Sequence, residues 1–150
     1  MKPGIDFIGV CTPFYCNNGK GKFLLHKRSI NCRDEHGRWD TGSGRLGFYQ
    51  TPEESVLREV REEYGCVGKI QRRLPPQSII RVWEGQRTHW LAIPFFILVN
   101  PLEAKINEPD KIDEIGWFTI NKLPKPLHTG LQQTMAKHKE SFVEIARLTR

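Results

Sequence analysis

One short helix with clearly marked ends constrains this chain more than any other feature. Thr51 offers an N-cap hydroxyl, Pro52 suits the first helical position, and Glu54 follows three residues after the cap, as in a capping box. Gly65 suits the left-handed position that commonly terminates a helix. These signals predict a helix that begins after Thr51 and ends at Tyr64.

The predicted helix has two chemically different faces. At about 100° per residue, its apolar side chains share one side, and Glu59, Glu62 and Glu63 share another. Like charges at these spacings repel each other, which costs a few tenths of a kcal/mol per pair, and a bound divalent cation such as Mg²⁺ or Mn²⁺ would remove that repulsion. The alternative is a solvated helix face on which the glutamates pair with Arg58 and Arg61.

The segments around the helix predict a mixed α/β domain. Runs rich in β-branched and aromatic residues predict strands at positions 5–15, 23–25, 78–83, 89–99 and 112–119. Pro94 marks a bulge or edge within one of these runs, and 31–44 is polar enough to be an exposed connection. Thr129 and Gln132 suggest a second capping box, which predicts one C-terminal helix that packs on the sheet.

Length and composition favour one intracellular domain over residues 1–150. A chain of 150 residues can bury a sufficient core without staples, and its four cysteines show no CxxC pair, so we expect reduced thiols rather than zinc or disulfides. The longest apolar run, 90–99, is too short to span a membrane, and the N-terminus lacks a secretory apolar segment. We therefore expect a cytoplasmic protein with no membrane partner.

The residues upstream of the helix complete a known motif. The segment resembles the Nudix box, G-x5-E-x7-R-E-U-x-E-E-x-G-U, in which U is a bulky aliphatic residue. The matching residues are Gly44, Arg58, Glu59, Val60, Glu62, Glu63 and Gly65. Gln50 stands in place of the first glutamate, Cys66 takes the last aliphatic position, and Gly47-Phe48-Tyr49 differs from the usual Glu-Phe-Gly. The motif is specific because all its spacings hold.

The resemblance implies a fold and an activity, and it extends to residues 37–40, which look like the strand that leads into the box. Nudix proteins form an α/β/α sandwich with a mixed sheet between helices, and they hydrolyse a nucleoside diphosphate linked to another group with Mg²⁺ or Mn²⁺. Carried over by position, Glu59 and Glu63 would be the main metal ligands, and Glu62 would share a second metal or act through water. Arg58 would hold these carboxylates in place, although an ordinary surface salt bridge is the alternative. Gly44 and Gln50 would shape the substrate loop.

Residues outside the box complete the candidate site. Family members take the general base from the box helix or from a later loop, for which Glu114 is our candidate, and an exposed charge before a strand is the alternative. Arg28 could hold phosphate, with Lys27 on the other side of the strand. Trp39 could stack a base, as could Tyr49 and Trp90, although aromatic residues of this kind are more often part of the core.

Two functional hypotheses remain open at this point. The first is an active metal-dependent hydrolase of nucleotide-type small molecules, and the intact acids of the box favour it. The second is a catalytically weak Nudix-fold module that binds nucleotide or RNA, because Gln50 cannot supply a negative charge. The net charge of +6 suits a polyanionic partner, but no basic stripe interleaved with aromatic residues indicates nucleic acid. The sequence predicts neither the substrate nor the oligomeric state.

Overall fold

The computed structural model describes residues 1–148. The strands are β1 (Gly9–Asn17), β2 (Phe23–Arg28), β3 (Trp39–Asp40), β4 (Ser43–Arg45), β5 (Lys69–Arg73), β6 (Gln77–Trp83), β7 (Gln86–Ala92), β8 (Phe95–Leu98) and β9 (Ile112–Phe118). The helices are α1 (Pro52–Tyr64), α2 (Thr129–Lys137) and α3 (Lys139–Leu148), with a 3₁₀ turn at Ile120–Lys122. Within residues 1–148, no helix is long and apolar enough to span a membrane.

Strand β1 organises a mixed sheet. It pairs antiparallel with β2 and β4, and parallel with β7 over its first half and with β8 over its second half. β9 and β3 flank β2, β6 pairs with β7, and β5 pairs with β8. The predicted strand at 89–99 is therefore two strands, because the chain is interrupted at Ile93-Pro94, where proline has no N–H to donate to a ladder.

Alternate residues of the central strands pack into two separate hydrophobic cores, one on each face of the sheet. Phe14 of β1 packs with Val56, Val60 and Tyr64 of α1 on one face of the sheet. Its neighbour Tyr15 packs on the other face, where the core also includes side chains of α2 and α3, namely Leu131, Phe142 and Ile145. The helices thus cover both faces of a mixed sheet, which confirms the predicted α/β/α sandwich.

Local sequence signals located some elements better than others. The capping box of Thr51 and Glu54 and the left-handed Gly65 are present as predicted, so the bounds of α1 are confirmed. The predicted single C-terminal helix is wrong, because it divides at His138 into α2 and α3. Its N-cap is also His128, whose ring accepts a hydrogen bond from the Gly130 N–H, and not Thr129.

The connection at 31–44 is more ordered than its polar composition predicts, and β3 forms within the segment 37–40 that resembles the strand leading into the box. Glu35, Thr41 and Gly42 are buried within it, and the short strands β3 and β4 form there. The reason is hydrogen bonding to residues distant in sequence. The backbone N–H of Trp39 donates to the carbonyl of Pro126, and the hydroxyl of Tyr64 in α1 donates to the carbonyl of Thr41. This buried connection forms part of the candidate site.

Candidate active site

Helix α1 presents two partly buried carboxylates whose charges are poorly compensated. We call Glu59 and Glu63 the α1 acids. Burial raises the pKa of Glu63 well above its usual value, and the negative charges of Glu59 and Glu108 raise it further. The pKa of Glu59 is also raised, mainly by burial, although the nearby Arg58 opposes that change. Oε2 of Glu63 is buried and has no hydrogen-bond partner among the described residues.

Glu108 is a third member of this acidic cluster, and the sequence interpretation gave it no role. Its charge raises the pKa of both α1 acids, and its own pKa is raised by burial and by Glu62. Asn107 fixes this loop to the C-terminal end of α1: its backbone N–H donates to the carbonyl of Glu63 at 3.0 Å. The sequence signal that could have identified Glu108 was its position directly after Asn107, the residue that makes this contact.

Arg58 connects the α1 acids to the turn that precedes the helix. Its guanidinium lies 3.2 Å from Glu59 and 3.4 Å from Glu62, and its Nε donates to Oε1 of Gln50 at 3.1 Å. The amide of Gln50 therefore anchors the arginine where the motif usually has a carboxylate. Glu62 itself is half exposed, and its described contact is with Arg58 rather than with the α1 acids.

Gly44 of β4 lies against Glu59. A methyl group at this position would collide with the carboxylate of Glu59 and force that side chain to move, so the absence of a side chain at Gly44 lets the two lie this close together. Gly44 also lines a cleft of the described structure. The glycine therefore separates the carboxylate of Glu59 from the cleft by no more than a backbone.

The cleft has a volume of about 220 Å³ and lies on the face of the sheet that α2 covers. Its apolar walls include Ile79, Leu131 and the indole of Trp90, and its polar walls include Arg28 and Asp40. Arg33 and Arg45 also line it, and both of these side chains are exposed. The cleft thus combines an aromatic wall with charged side chains.

Three acids at or near the cleft form ion pairs with arginine side chains of the same chain. We call Asp34, Glu35 and Asp40 the cleft acids. Arg28 lies 3.0 Å from Asp34 and 3.6 Å from Asp40. The carboxylate of Glu35 pairs with the buried guanidinium of Arg81.

These partners set the protonation of the cleft acids. Burial alone would raise the pKa of Asp40, but the charges of His128 and Arg28 outweigh it and lower that pKa to about 2. Glu35 behaves in the same way: against the effect of burial, its contacts with His128 and Thr129 lower its pKa to about 2. The backbone N–H of Thr129 donates to Glu35 at 2.8 Å, so this carboxylate occupies the N-terminus of α2.

The two groups of acids differ in their fit to a metal ion. Among residues 1–148, three side chains that could bind a metal ion have ligand atoms within 4.8 Å of one another, namely those of Asp34, Glu35 and His128. Arg81, Thr129 and His128 already satisfy the carboxylate of Glu35, so that set needs no further cation. Glu63 of the α1 acids, by contrast, has a buried oxygen without a hydrogen-bond partner among the described residues, and carboxylate oxygens are the ligands that Mg²⁺ and Mn²⁺ prefer.

The other predicted site residues lie in varied places. Arg28 lines the cleft as expected, whereas Trp39 is buried against Phe118, with ring centroids 5.4 Å apart, and does not belong to the cleft wall. Glu114 is exposed on β9, directly opposite Lys27 on β2. The structure brings Gly44, Gln50, Arg58 and the α1 acids together, while Trp39 and Glu114 lie outside that set.

Comparison with known proteins identifies the family. The NUDIX domain family matches residues 9–139. The chain is 28% identical over 121 residues to an isopentenyl-diphosphate Delta-isomerase of Corynebacterium diphtheriae, covering 77% of this chain and 66% of that protein. It is 27% identical over 117 residues to an RNA pyrophosphohydrolase of Acinetobacter baylyi, covering 68% of each. The chain thus spans about two thirds of the length of these curated relatives.

Solved structures agree on the fold. A MutT NUDIX hydrolase from Burkholderia pseudomallei superposes with a TM-score of 0.73 at 24% identity, covering 89% of this chain and 99% of that one. A UDP-X diphosphatase superposes with a TM-score of 0.71 at 17% identity, covering 99% of this chain and 67% of that one. The predicted family is confirmed: the chain belongs to the Nudix family, and its similarity to the RNA pyrophosphohydrolase supports a Nudix-type pyrophosphohydrolase.

Proposed function

We propose that the protein is a divalent-metal-dependent hydrolase that cleaves a diphosphate linkage in a nucleoside diphosphate derivative. One observation carries this proposal: the α1 acids are buried without adequate counter-charge, and only the backbone of Gly44 separates Glu59 from a cleft of nucleoside size. Buried acids with raised pKa values are unfavourable for stability, and they commonly mark functional sites.

The α1 acids would hold Mg²⁺ or Mn²⁺, with Glu62 taking part through water or a second ion. When bound, the cation would screen the phosphate oxygens, activate water and stabilise the leaving phosphate. Arg58 fixes the direction of the Glu59 carboxylate through its 3.2 Å contact, and Gln50 fixes Arg58. Both contacts leave the orphaned oxygen of Glu63 free to act as a ligand.

The inner cleft suits the nucleoside rather than the phosphates. Arg28 and Arg81 are paired with the cleft acids, so the charges at the base of the cleft largely balance. An uncharged base and ribose can use such donors and acceptors without bringing in unpaired charge. The exposed Arg33 and Arg45 at the cleft supply positive charge for the phosphate chain.

The proposed activity is tested with a panel of nucleoside triphosphates, sugar nucleotides and dinucleotide polyphosphates, assayed with Mg²⁺ for phosphate-containing products. Glu63→Gln should lower kcat/KM on the best substrate at least 100-fold, which corresponds to about 2.7 kcal/mol of transition-state stabilisation. Glu53→Gln is the matched control, because Glu53 is on the same helix but pairs with Arg73 at the surface. Near-normal turnover by Glu63→Gln would refute the assignment.

Two outcomes would favour other functions. Tight nucleotide binding without turnover by the wild type would support the catalytically weak binding module. Isomerisation of isopentenyl diphosphate, included because one relative carries that name, would replace hydrolysis as the function.

The general base is tested separately. Glu108 shares the electrostatic environment of the α1 acids, whereas Glu114 is exposed opposite Lys27. We propose Glu108 as the alternative candidate to Glu114. The variants Glu108→Gln and Glu114→Gln, compared over a pH profile, should identify the base as the residue whose removal abolishes the acidic limb of kcat.

A further inference from the structure

Tyr64, the last residue of α1, makes side-chain contacts that the motif does not explain, because it fills an unspecified position of the box. Its side chain is fully buried, and its hydroxyl lies 2.6 Å from Nδ1 of His26 in β2. The same hydroxyl donates to the backbone carbonyl of Thr41 at 3.3 Å. We call this set of contacts between His26, Tyr64 and Thr41 the hydroxyl bridge.

The contacts of the hydroxyl bridge fix the positions of its hydrogens. Burial lowers the pKa of His26 to about 4, so the imidazole is neutral at neutral pH and carries one N–H. We assign that hydrogen to Nδ1, because the imidazole then donates to the Tyr64 oxygen and leaves the hydroxyl hydrogen for the carbonyl of Thr41. Two consecutive hydrogen bonds therefore join β2, α1 and the connection before β4.

One end of the hydroxyl bridge lies at the α1 acids. Tyr64 directly follows Glu63 in sequence. Its backbone carbonyl accepts from the N–H of Lys105 at 3.0 Å, in the loop that Asn107 attaches to the same end of the helix. The Tyr64 hydroxyl and this loop together fix the last turn of α1, which carries Glu63.

The other end of the hydroxyl bridge lies at the cleft. Thr41 and its neighbour Asp40 both line the cleft, and Asp40 is the partner of His26 in the pairing of β3 with β2. From Thr41 the chain runs directly to Gly44, which lies against Glu59. A shift of the Thr41 carbonyl therefore reaches both the wall of the cleft and the glycine beside Glu59.

We propose that His26 and Tyr64 are positioning residues, which hold the α1 acids in place relative to the cleft. The inference rests on the proposed function, in which the acids bind the metal ion and the cleft binds the nucleoside. Because Tyr64 is fully buried, it acts through Thr41 and through α1 and not by touching the substrate. Displacing reacting groups by about 1 Å can lower a rate about 100-fold, so such positioning matters for catalysis.

Tyr64→Phe tests the proposal, because it removes the hydroxyl and keeps the ring, which packs edge to face on Phe14 with centroids 6.0 Å apart. On the best substrate of the wild type, we expect kcat to fall about tenfold and KM to change less than about twofold. The Mg²⁺ concentration that gives half the maximal rate should rise about tenfold. All variants are assayed below their melting temperatures.

The matched control is Asn17→Ala, which also removes a buried hydrogen-bonding side chain. Asn17 donates to Gln71 of β5 and to the carbonyl of Ile97 in β8, so its loss should lower stability and leave kcat and KM unchanged. A lower Tm of Tyr64→Phe with unchanged kcat and Mg²⁺ requirement would overturn the proposal, because the hydroxyl would then only stabilise the fold. An equal loss of kcat in the control would overturn it as well.

His26 provides a second test that does not alter α1. His26→Leu removes the donor to the Tyr64 oxygen, whereas the side-chain amide of His26→Gln can donate to the same oxygen. We expect His26→Leu to lower kcat and His26→Gln to recover part of that loss. Equal kcat values in these two variants would contradict a role for this hydrogen bond.

If the wild type hydrolyses no nucleotide of the panel, the proposed function fails, and the positioning role is judged by calorimetric titration with Mn²⁺. About tenfold weaker Mn²⁺ binding by Tyr64→Phe than by the wild type would support that role. Equal dissociation constants would refute it. A wild type that binds no Mn²⁺ would refute it too, because the α1 acids would then hold no ion to be positioned.

Discussion

The molecule contains two groups of buried acids that differ in how their charge is compensated. The cleft acids face Arg28, Arg81 and His128, and the pKa values of Glu35 and Asp40 fall to about 2 despite burial. Among the described residues, the α1 acids have one arginine in contact, Arg58, and their pKa values rise. Acidity alone therefore does not mark a metal site. The useful sign is a carboxylate that the protein has buried without providing a cation.

Removing Glu35 should have the largest effect on stability. Glu35→Gln leaves the buried Arg81 without its main partner, and breaking a buried pair in this way costs about 3–5 kcal/mol. The measurement is urea unfolding. Glu144→Gln is the matched control, because it breaks an exposed pair with Arg72 and should cost about 1 kcal/mol or less. Equal losses in the two variants would remove the distinction between the cleft acids and surface charges.

Magnesium should stabilise the wild type through the α1 acids. At a concentration 100 times its dissociation constant, Mg²⁺ would add about 2.7 kcal/mol to the free energy of unfolding by mass action. In a chain of this size, Tm rises by about 2–4 °C per kcal/mol. Calorimetric melting should show this rise in the wild type and in Glu35→Gln, but not in Glu63→Gln. A rise that survives in Glu63→Gln would place the ion elsewhere.

The two groups should also give opposite pH dependences. The pKa of Glu63 is higher in the folded than in the unfolded protein, so its contribution to stability falls as pH rises above about 4.5. In metal-free buffer, the free energy of unfolding of Glu63→Gln should therefore increase relative to that of the wild type as pH rises, by at most about 1.4 kcal/mol per pH unit.

The stability that Glu35 contributes has the opposite pH dependence. Its folded pKa of about 2 is below the unfolded value, so the stability that it contributes is present above about pH 4.5 and is lost as pH falls toward 2. The difference in the free energy of unfolding between the wild type and Glu35→Gln should therefore decrease as pH falls from about 4.5 toward 2. Denaturant unfolding at a series of pH values measures both trends, and two trends of the same sign would contradict the comparison.

Gln50→Glu should have the smallest effect. It restores the residue type of the motif with nearly the same volume, and it would place a carboxylate where Oε1 of Gln50 now accepts from Arg58. We expect kcat on the best substrate to rise several-fold, which is about 1 kcal/mol of transition-state stabilisation. Steady-state kinetics measure this change. Flat or lower turnover by the variant would show that the amide is adapted to its own substrate.

The features that sequence reasoning located depend on near neighbours. The ends of α1 follow from Thr51, Glu54 and Gly65, which act within one or two helical turns, and the position of the α1 acids follows from helical spacing alone. β5 was missed because Lys69–Arg73 is largely polar, and it forms by pairing with the buried strand β8. Tertiary pairing overrode local propensity there.

The cleft network could not be predicted for a related reason. Glu35 is 46 residues from Arg81 and 94 from Thr129 in sequence, and nothing local predicts that they meet. Its polar neighbours in sequence predict that Glu35 lies in an exposed connection. Its burial becomes understandable only when α2 and β6 are seen beside it, because each supplies the donors that a buried carboxylate needs.

The carboxylate of Glu35 at the N-terminus of α2 removes one anion site from the region of the cleft. Free backbone amides at a helix start attract phosphate, but here Glu35 already accepts from the Thr129 N–H. The positive charge that remains for a phosphate chain therefore comes from the exposed Arg33 and Arg45, which line the same cleft. A nucleotide bound there, as we propose, would have its phosphates beside these two side chains and not at the start of α2.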